Sequence, residues 1–81
     1  MVSEAIVLVK VNVGAVDKAM SFLKAYSEVR EVASTAGHYD LIVRVVTDDL
    51  EKLHDFVTKN LHLIDGVQLT ETHLIAKKIE K

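Results

Sequence analysis

Four consecutive residues near the middle of the chain, Gly37-His38-Tyr39-Asp40, combine the groups needed to hold a small polar molecule. Gly37 allows close backbone approach, and successive free N–H groups at such a turn can receive a carboxylate. Tyr39 offers a flat apolar wall with a polar tip, and Asp40 offers an acceptor for an ammonium group. The alternative is a simple hairpin turn, in which glycine supplies the geometry, tyrosine packs and aspartate bonds the local backbone. This segment is the first candidate for a ligand site.

A second candidate lies towards the C-terminus, where two hydroxyl side chains alternate along a predicted strand. Thr70 and Thr72 are two residues apart, which places both on one face of that strand. Two hydroxyls on one face can hydrogen-bond a polar ligand, although β propensity and cross-strand threonine pairing also account for them. We treat both as candidate ligand-binding residues.

The other polar residues do not indicate a metal site or a catalytic set. The four histidines fall in different elements without a close i, i+3 or i+4 pair, and cysteine is absent. No serine lies in a glycine-flanked elbow, and the three glycines are too widely spaced for a phosphate-binding loop. We therefore predict no metal, no cofactor and no catalytic residue.

The apolar pattern predicts the elements that would position these residues. Two amphipathic helices are expected at residues 15–27 and 48–61, with Gly14 and Asp48 as candidate N-caps. Strands are expected at residues 4–13, 29–35, 39–47 and 67–79. The order β-α-β-β-α-β with right-handed crossovers predicts an α+β, ferredoxin-like fold, in which a four-stranded antiparallel sheet carries both helices on one face.

One face of the predicted sheet carries apolar side chains that neither helix covers. The first and third strands are apolar on both sides, so residues such as Ile6, Leu8, Ile42 and Val46 are left on a face that no helix covers. The alternatives are partial exposure and burial against another sheet. We expect a second copy to cover the face, giving a sheet-to-sheet dimer that resembles an α+β barrel.

Length and charge narrow the classes of function. Eighty-one residues allow one small domain, whose marginal core is expected to be supplemented by self-association. The net charge of −2 lacks the basic excess that nucleic-acid binding requires. The longest apolar run, 5–9, is far short of the roughly 20 residues of a membrane span. We expect a cytoplasmic protein that binds neither nucleic acid nor membrane, and scarce amides with no cysteine favour a thermophilic source.

Three stretches of the chain resemble the effector domain of the Lrp/AsnC regulator family, also called the RAM domain for regulation of amino acid metabolism. They are residues 27–32, 36–45 and 63–75, in family order and at family spacing. The resemblance spans essentially the whole chain, so we interpret residues 1–81 as a single RAM-like domain.

The resemblance implies an amino-acid-responsive module that binds its effector and oligomerises. In this family the βαββαβ domains dimerise through their sheets and assemble further, commonly into octameric rings or discs. A free amino acid or related metabolite binds near the hairpin turn at a subunit interface. By position, residues 37–40 match the ligand-contacting turn, and Thr70 and Thr72 match polar positions of the last strand.

The chain departs from the family pattern in three respects. Ala36 stands where threonine is usual, and His38 stands where an acidic or polar residue is common. The N-terminal helix-turn-helix is missing, so we expect a stand-alone form with no DNA-binding domain. Such a form would act through its effector alone or by assembling with full-length Lrp/AsnC regulators.

Two rival functions fit the same fold. A dimeric α+β barrel enzyme, resembling small monooxygenases or isomerases, needs a cavity between sheet and helices and a catalytic base, for which His73 is the only candidate. The interior positions are filled with leucine and valine, so we predict that the chain is not an enzyme. A purely structural adaptor would oligomerise without responding to any ligand.

Overall fold

The computed structural model describes residues 2–81, which form four strands and two helices in the predicted βαββαβ order. The strands are β1 (Ser3–Val11), β2 (Val29–Ser34), β3 (Leu41–Thr47) and β4 (Val67–Leu74), and the helices are α1 (Val16–Leu23) and α2 (Leu50–Lys59). A short 3₁₀ turn at Leu61–Leu63 precedes β4. The strands pair antiparallel in the order β2-β3-β1-β4. This architecture confirms the predicted ferredoxin-like fold.

Alternate residues of the two central strands build the core. On β1 and β3 every second side chain from Ala5 and Leu41 onwards is buried, and the apolar ones are Ala5, Val7, Val9, Val11, Leu41, Val43 and Val45. The helices cover this face with Ala19 and Leu23 of α1 and Leu53, Phe56 and Val57 of α2. We call it the helix-covered face, and its apolar contacts are completed within one chain.

The opposite side of the sheet carries no helix. Ile6 and Leu8 of β1 and Ile42 and Val46 of β3 alternate with the buried residues and remain half-buried. We call this side the open face. The prediction that the central strands are apolar on both faces is therefore confirmed.

Several predicted strand ends are wrong, and at the end of β1 the reason is a hydrogen bond between distant segments. β1 ends at Val11 instead of residue 13, since the Asn12 N–H donates to the Gly66 carbonyl and Val13 is fully exposed. β4 ends at Leu74 instead of residue 79, with one more bond from the Ile75 N–H to the Glu4 carbonyl. β3 begins at Leu41, two residues later than predicted.

The helix ends also differ from the prediction. α1 stops at Leu23, because the following residues form tight turns, such as the Tyr26 N–H donating to the Leu23 carbonyl. Its N-cap is Ala15 and not Gly14. The N-cap of α2 is Asp49, whose carboxylate accepts from the Lys52 N–H at 2.8 Å. The neighbouring Asp48, which the sequence favoured, instead pairs with the Lys52 ammonium at 3.1 Å.

Candidate functional site

The segment 35–40 links β2 to β3 as a loop closed at its base. The Thr35 N–H donates to the Asp40 carbonyl, and the Thr35 hydroxyl donates to the Tyr39 carbonyl, both at 2.9 Å. Gly37, at the tip, is exposed with φ +143°, a value that side-chain-bearing residues rarely adopt. The glycine at this position is therefore required by the backbone conformation.

The loop tip presents backbone donors to solvent. Within residues 2–81, the N–H groups of Gly37 and His38 donate to no other atom of the chain. The Lys10 ammonium lies beside them, 3.5 Å from the His38 carbonyl oxygen. Two unpaired amides next to a cation can receive an anionic group such as a carboxylate.

Asp40 has a structural role at the end of β1. Its Oδ2 accepts from the Val11 N–H at 2.9 Å, and its own N–H donates to the Val9 carbonyl at 2.9 Å. These bonds span the point where the β1–β4 register shifts, between Lys10 and Val11. The local bonding of the hairpin-turn interpretation therefore applies to Asp40, and its predicted contact with a ligand ammonium stays a prediction that depends on its second oxygen.

Tyr39 connects the loop to the last strand across β1. Its hydroxyl donates to Glu71 Oε1 at 3.1 Å, and Glu71 Oε2 lies 2.6 Å from His73 Nε2. The hydrogen bond from His73, followed by that from Tyr39, lowers the pKa of Glu71, and the same carboxylate raises the pKa of the Tyr39 hydroxyl. Sequence reasoning missed Glu71 as a member of this site.

The Tyr39 side chain does not lie on the face of the sheet that regular strand alternation predicts. Alternation along the predicted strand 39–47 would put Tyr39 on the same face as Leu41, which is the helix-covered face. The Tyr39 hydroxyl instead reaches Glu71 on the open face. Glu71 is opposite Leu8 in the β1–β4 register, and Leu8 is opposite Ile42, which fixes Glu71 on that open face. Because the regular strand begins only at Leu41, the period of two does not extend back to Tyr39.

The structure does not bring Thr70 and Thr72 together with the loop within one chain. They share one face, as predicted, but they are opposite Val9 and Val7, which places them on the helix-covered side. Thr70 is half-buried and its hydroxyl is hydrogen-bonded to His62 Nε2, while Thr72 is exposed. The two predicted halves of the ligand site therefore lie on opposite sides of the sheet.

Charged residues lie within and around the apolar part of the open face, where Arg44 of β3 is opposite Ile6 and Glu4 is at the border. Arg44 of β3 lies 3.3 Å from Glu4 and 3.8 Å from Glu31, and Lys78 lies 3.3 Å from Glu4. Desolvation raises the pKa of Glu4, but hydrogen bonds and charges from Arg44 and Lys78 outweigh it and hold that pKa below its usual value. Glu4 thus stays ionised on this border.

The remaining geometry bears on the rival functions. His73, the candidate base of a barrel enzyme, is opposite Ile6 on the open face and not between sheet and helices. In the part of the chain that the structure describes, no three histidine or acidic side chains gather as metal ligands. No helix formed by residues 2–81 has the length and apolar character to cross a membrane.

Comparison with known proteins identifies the domain type. Residues 4–81 match the family model of the Lrp/AsnC ligand binding domain. The chain is 36% identical over 73 residues to the HTH-type transcriptional regulator FL11 of Pyrococcus furiosus, an alignment that covers 90% of this chain and 48% of FL11. The chain thus spans about half the length of the curated relatives it matches.

Solved structures agree with this match. TTHA0845 from Thermus thermophilus superposes with a TM-score of 0.90 at 32% identity, covering 98% of this chain and 99% of that one. The transcriptional regulator NMB0573 from Neisseria meningitidis, in complex with L-Met, superposes with a TM-score of 0.87 over 98% of this chain and 53% of that one. At 18% identity, NMB0573 supports the fold alone. The family match over nearly the whole chain and the shared fold show that this protein belongs to the Lrp/AsnC ligand-binding domain family.

Proposed function

We propose that this chain binds a free amino acid, or a closely related metabolite, at a subunit interface and thereby acts as the effector-sensing and oligomerisation module of an Lrp/AsnC regulatory system. The observation that carries the proposal is the loop tip, where the Gly37 and His38 N–H groups are unpaired beside Lys10. Family membership supports an effector-binding role, and the matched relatives are transcriptional regulators, which favours regulation over catalysis.

In the proposed binding mode the ligand α-carboxylate accepts from the two free N–H groups of the loop. An ammonium group is then left for the second oxygen of Asp40, since Oδ2 is already occupied by the Val11 N–H. Tyr39 forms a wall of the site, held in place by Glu71. We propose an α-amino acid as the class of ligand, as in the solved complex of NMB0573 with L-Met, whose likeness to this chain extends to the fold alone.

The loop supplies only half of this site. Thr70 and Thr72 of the same chain lie on the other side of the sheet, so in this proposal a neighbouring copy contributes its own threonines. A ligand that contacts two subunits binds only assemblies that complete the site, and it shifts the oligomer population towards them. In this proposal, ligand binding is therefore detected as a change in oligomeric state.

The first level of assembly in this proposal is a sheet-to-sheet dimer. The open face offers Ile6, Leu8, Ile42 and Val46, with charges of both signs within and around this set that a second copy can complement. Pairing two such faces would give an α+β barrel-like homodimer. Rings of dimers, such as octamers, and mixed assemblies with full-length Lrp/AsnC regulators would follow from contacts between dimers.

Isothermal titration calorimetry with each of the twenty amino acids tests the ligand. We expect at least one to bind, and we expect Gly37→Ala to weaken that binding by about tenfold or more, because a side chain at φ +143° forces the loop tip to change conformation.

Gly14→Ala is the matched control. Gly14 is also exposed with a positive φ, +83°, and has open space around it, but it lies outside the loop. Its substitution should leave binding within about twofold of the native chain, a difference of under ~0.5 kcal/mol. If no amino acid gives heat or a thermal shift at millimolar concentration, the sensing role is wrong, and an assembly that ignores ligands would favour the structural adaptor.

A further inference from the structure

The open face carries a hydrogen-bonded cluster that the proposed ligand contacts leave largely unexplained. Glu71 uses both carboxylate oxygens within the chain, one for the Tyr39 hydroxyl and the other for His73 Nε2. In the strand register Glu71 is opposite Leu8 and His73 is opposite Ile6, so the cluster adjoins the apolar centre of this face. A sheet packed on that centre would cover the cluster as well.

The other charged groups on this face have partners of their own. From β3, Arg44 pairs with Glu4 and Glu31, and Lys78 of the C-terminal segment also pairs with Glu4. From β1, Lys10 points to the His38 carbonyl. His73, already 2.6 Å from Glu71, can therefore neutralise it when protonated, whereas the three cations named above would have to give up another contact.

If a second sheet covers the cluster, the free energy of association depends on the protonation state of His73. In the single chain the side chains of His73 and Glu71 are 57% and 48% exposed, so water screens them. Under a second sheet that water is lost, and a buried carboxylate beside a neutral imidazole leaves one charge uncompensated. With His73 protonated, the pair has no net charge and costs less to bury.

We propose that the Glu71–His73 pair makes self-association through the open face pH-dependent, with the assembled form favoured when His73 is protonated. The inference rests on the proposed sheet-to-sheet dimer and adds a regulatory input to it. Imidazole is the side chain whose unperturbed charge change falls between about pH 5 and 8, so association is to be compared across that range. Because Tyr39 shares Glu71, the same cluster adjoins the ligand loop.

Sedimentation equilibrium of the full chain at about pH 6 and about pH 8, at constant ionic strength, tests this inference. We expect the dimer dissociation constant to be at least about threefold lower at the acidic pH, because association then takes up protons. His73→Gln should abolish the difference, and Glu71→Gln should abolish or reverse it, because a protonated imidazole without its carboxylate costs more to bury than a neutral one. His54→Gln should keep it, because His54 is an exposed histidine on α2, away from the open face.

The outcomes separate this inference from the proposed function. A native dimer of equal strength at both values of pH, or a pH response that persists in His73→Gln, overturns the role of the pair and leaves the dimer standing. A chain that is monomeric under both conditions overturns the sheet-to-sheet dimer and this inference with it. Circular dichroism confirms that the variants are folded, which we expect because both substituted side chains are about half exposed.

Discussion

The two faces of the sheet are built from the same strands, but other elements of the chain cover only one of them. On β3, Leu41, Val43 and Val45 have no exposed surface, whereas Ile42 and Val46, one position along, are only half-buried. The residue types are equivalent, so the difference comes from the layer that lies above them. Two helices complete one face within the chain, and the other face still offers apolar surface to a partner.

The polar side chains of the two faces also differ in their burial. Thr47, the one buried polar residue in the described range 2–81, lies on the helix-covered face and donates its hydroxyl to the Asp49 carbonyl at 2.7 Å. No buried side-chain nitrogen or oxygen among residues 2–81 lacks a partner. The open face instead holds half-exposed charged groups, including Glu71 and His73. The comparison indicates that the helix-covered face stabilises the fold, while the open face and the adjoining loop serve interactions.

The largest expected effect is a loss of stability from a cavity on the helix-covered face. Leu41→Ala removes a fully buried side chain and should lower the free energy of unfolding by about 2–5 kcal/mol. The matched variant Ile42→Ala, on the open face of the same strand, should cost less. Urea denaturation at two protein concentrations measures both and separates folding from association. Equal losses at low concentration would mean that the two faces do not differ as the structure indicates.

A charge on the open face should break assembly without unfolding the chain. Leu8→Glu places a carboxylate at the apolar centre, where a second sheet would bury it unpaired. We expect the dimer to weaken roughly hundredfold or more, because burying an uncompensated charge costs several kcal/mol. Analytical ultracentrifugation measures the dissociation constant, and circular dichroism reports the fold.

Lys18→Glu is the control for Leu8→Glu, since Lys18 is an exposed residue of α1 on the other side of the molecule. It should leave the dimer intact. A Leu8→Glu chain that still dimerises with native affinity would show that the open face is not the interface.

The fold could be predicted from the sequence because its signals are periodic. Alternating valine, isoleucine and leucine on β1 and β3 indicate strands with two apolar faces, and the spacing of apolar residues indicates both helices. The ends of the strands and helices could be predicted less accurately, because they depend on hydrogen bonds between distant segments, such as that between Asn12 and Gly66. Choosing between adjacent acids as N-cap, Asp48 or Asp49, also required the geometry of the backbone.

The candidate site shows the same limit. Gly37 marks the loop because its residue type alone indicates an unusual backbone conformation. The contact between Tyr39 and Glu71 could not be predicted, because it depends on the register of β4 against β1 and on the late start of β3. Alternation along β4 already places Thr70 and Thr72 on the side away from Glu71, but only the register shows which of the two sides faces the helices.

The smallest expected effect concerns the charged border of the open face and appears as a pH dependence of stability. The net lowering of the Glu4 pKa below the ordinary value of 4.5 means that the folded chain binds a proton at Glu4 less readily than the unfolded chain. The stabilising contribution of Glu4 is therefore fully present above the unfolded value and is lost as the pH falls through the lower folded value.

Glu4→Gln should accordingly be less stable than the native chain near neutral pH, and the difference should disappear in acid. Glu31→Gln is the comparison variant, since Glu31 meets the same Arg44 at a longer distance and is more exposed, and its effect should be smaller at every pH. Urea denaturation from about pH 7 to about pH 3, at protein concentrations where the chain is monomeric, measures both differences. A Glu4→Gln deficit that stays constant into acid would mean that the carboxylate charge does not stabilise this border, which would leave packing of the Glu4 side chain as its contribution.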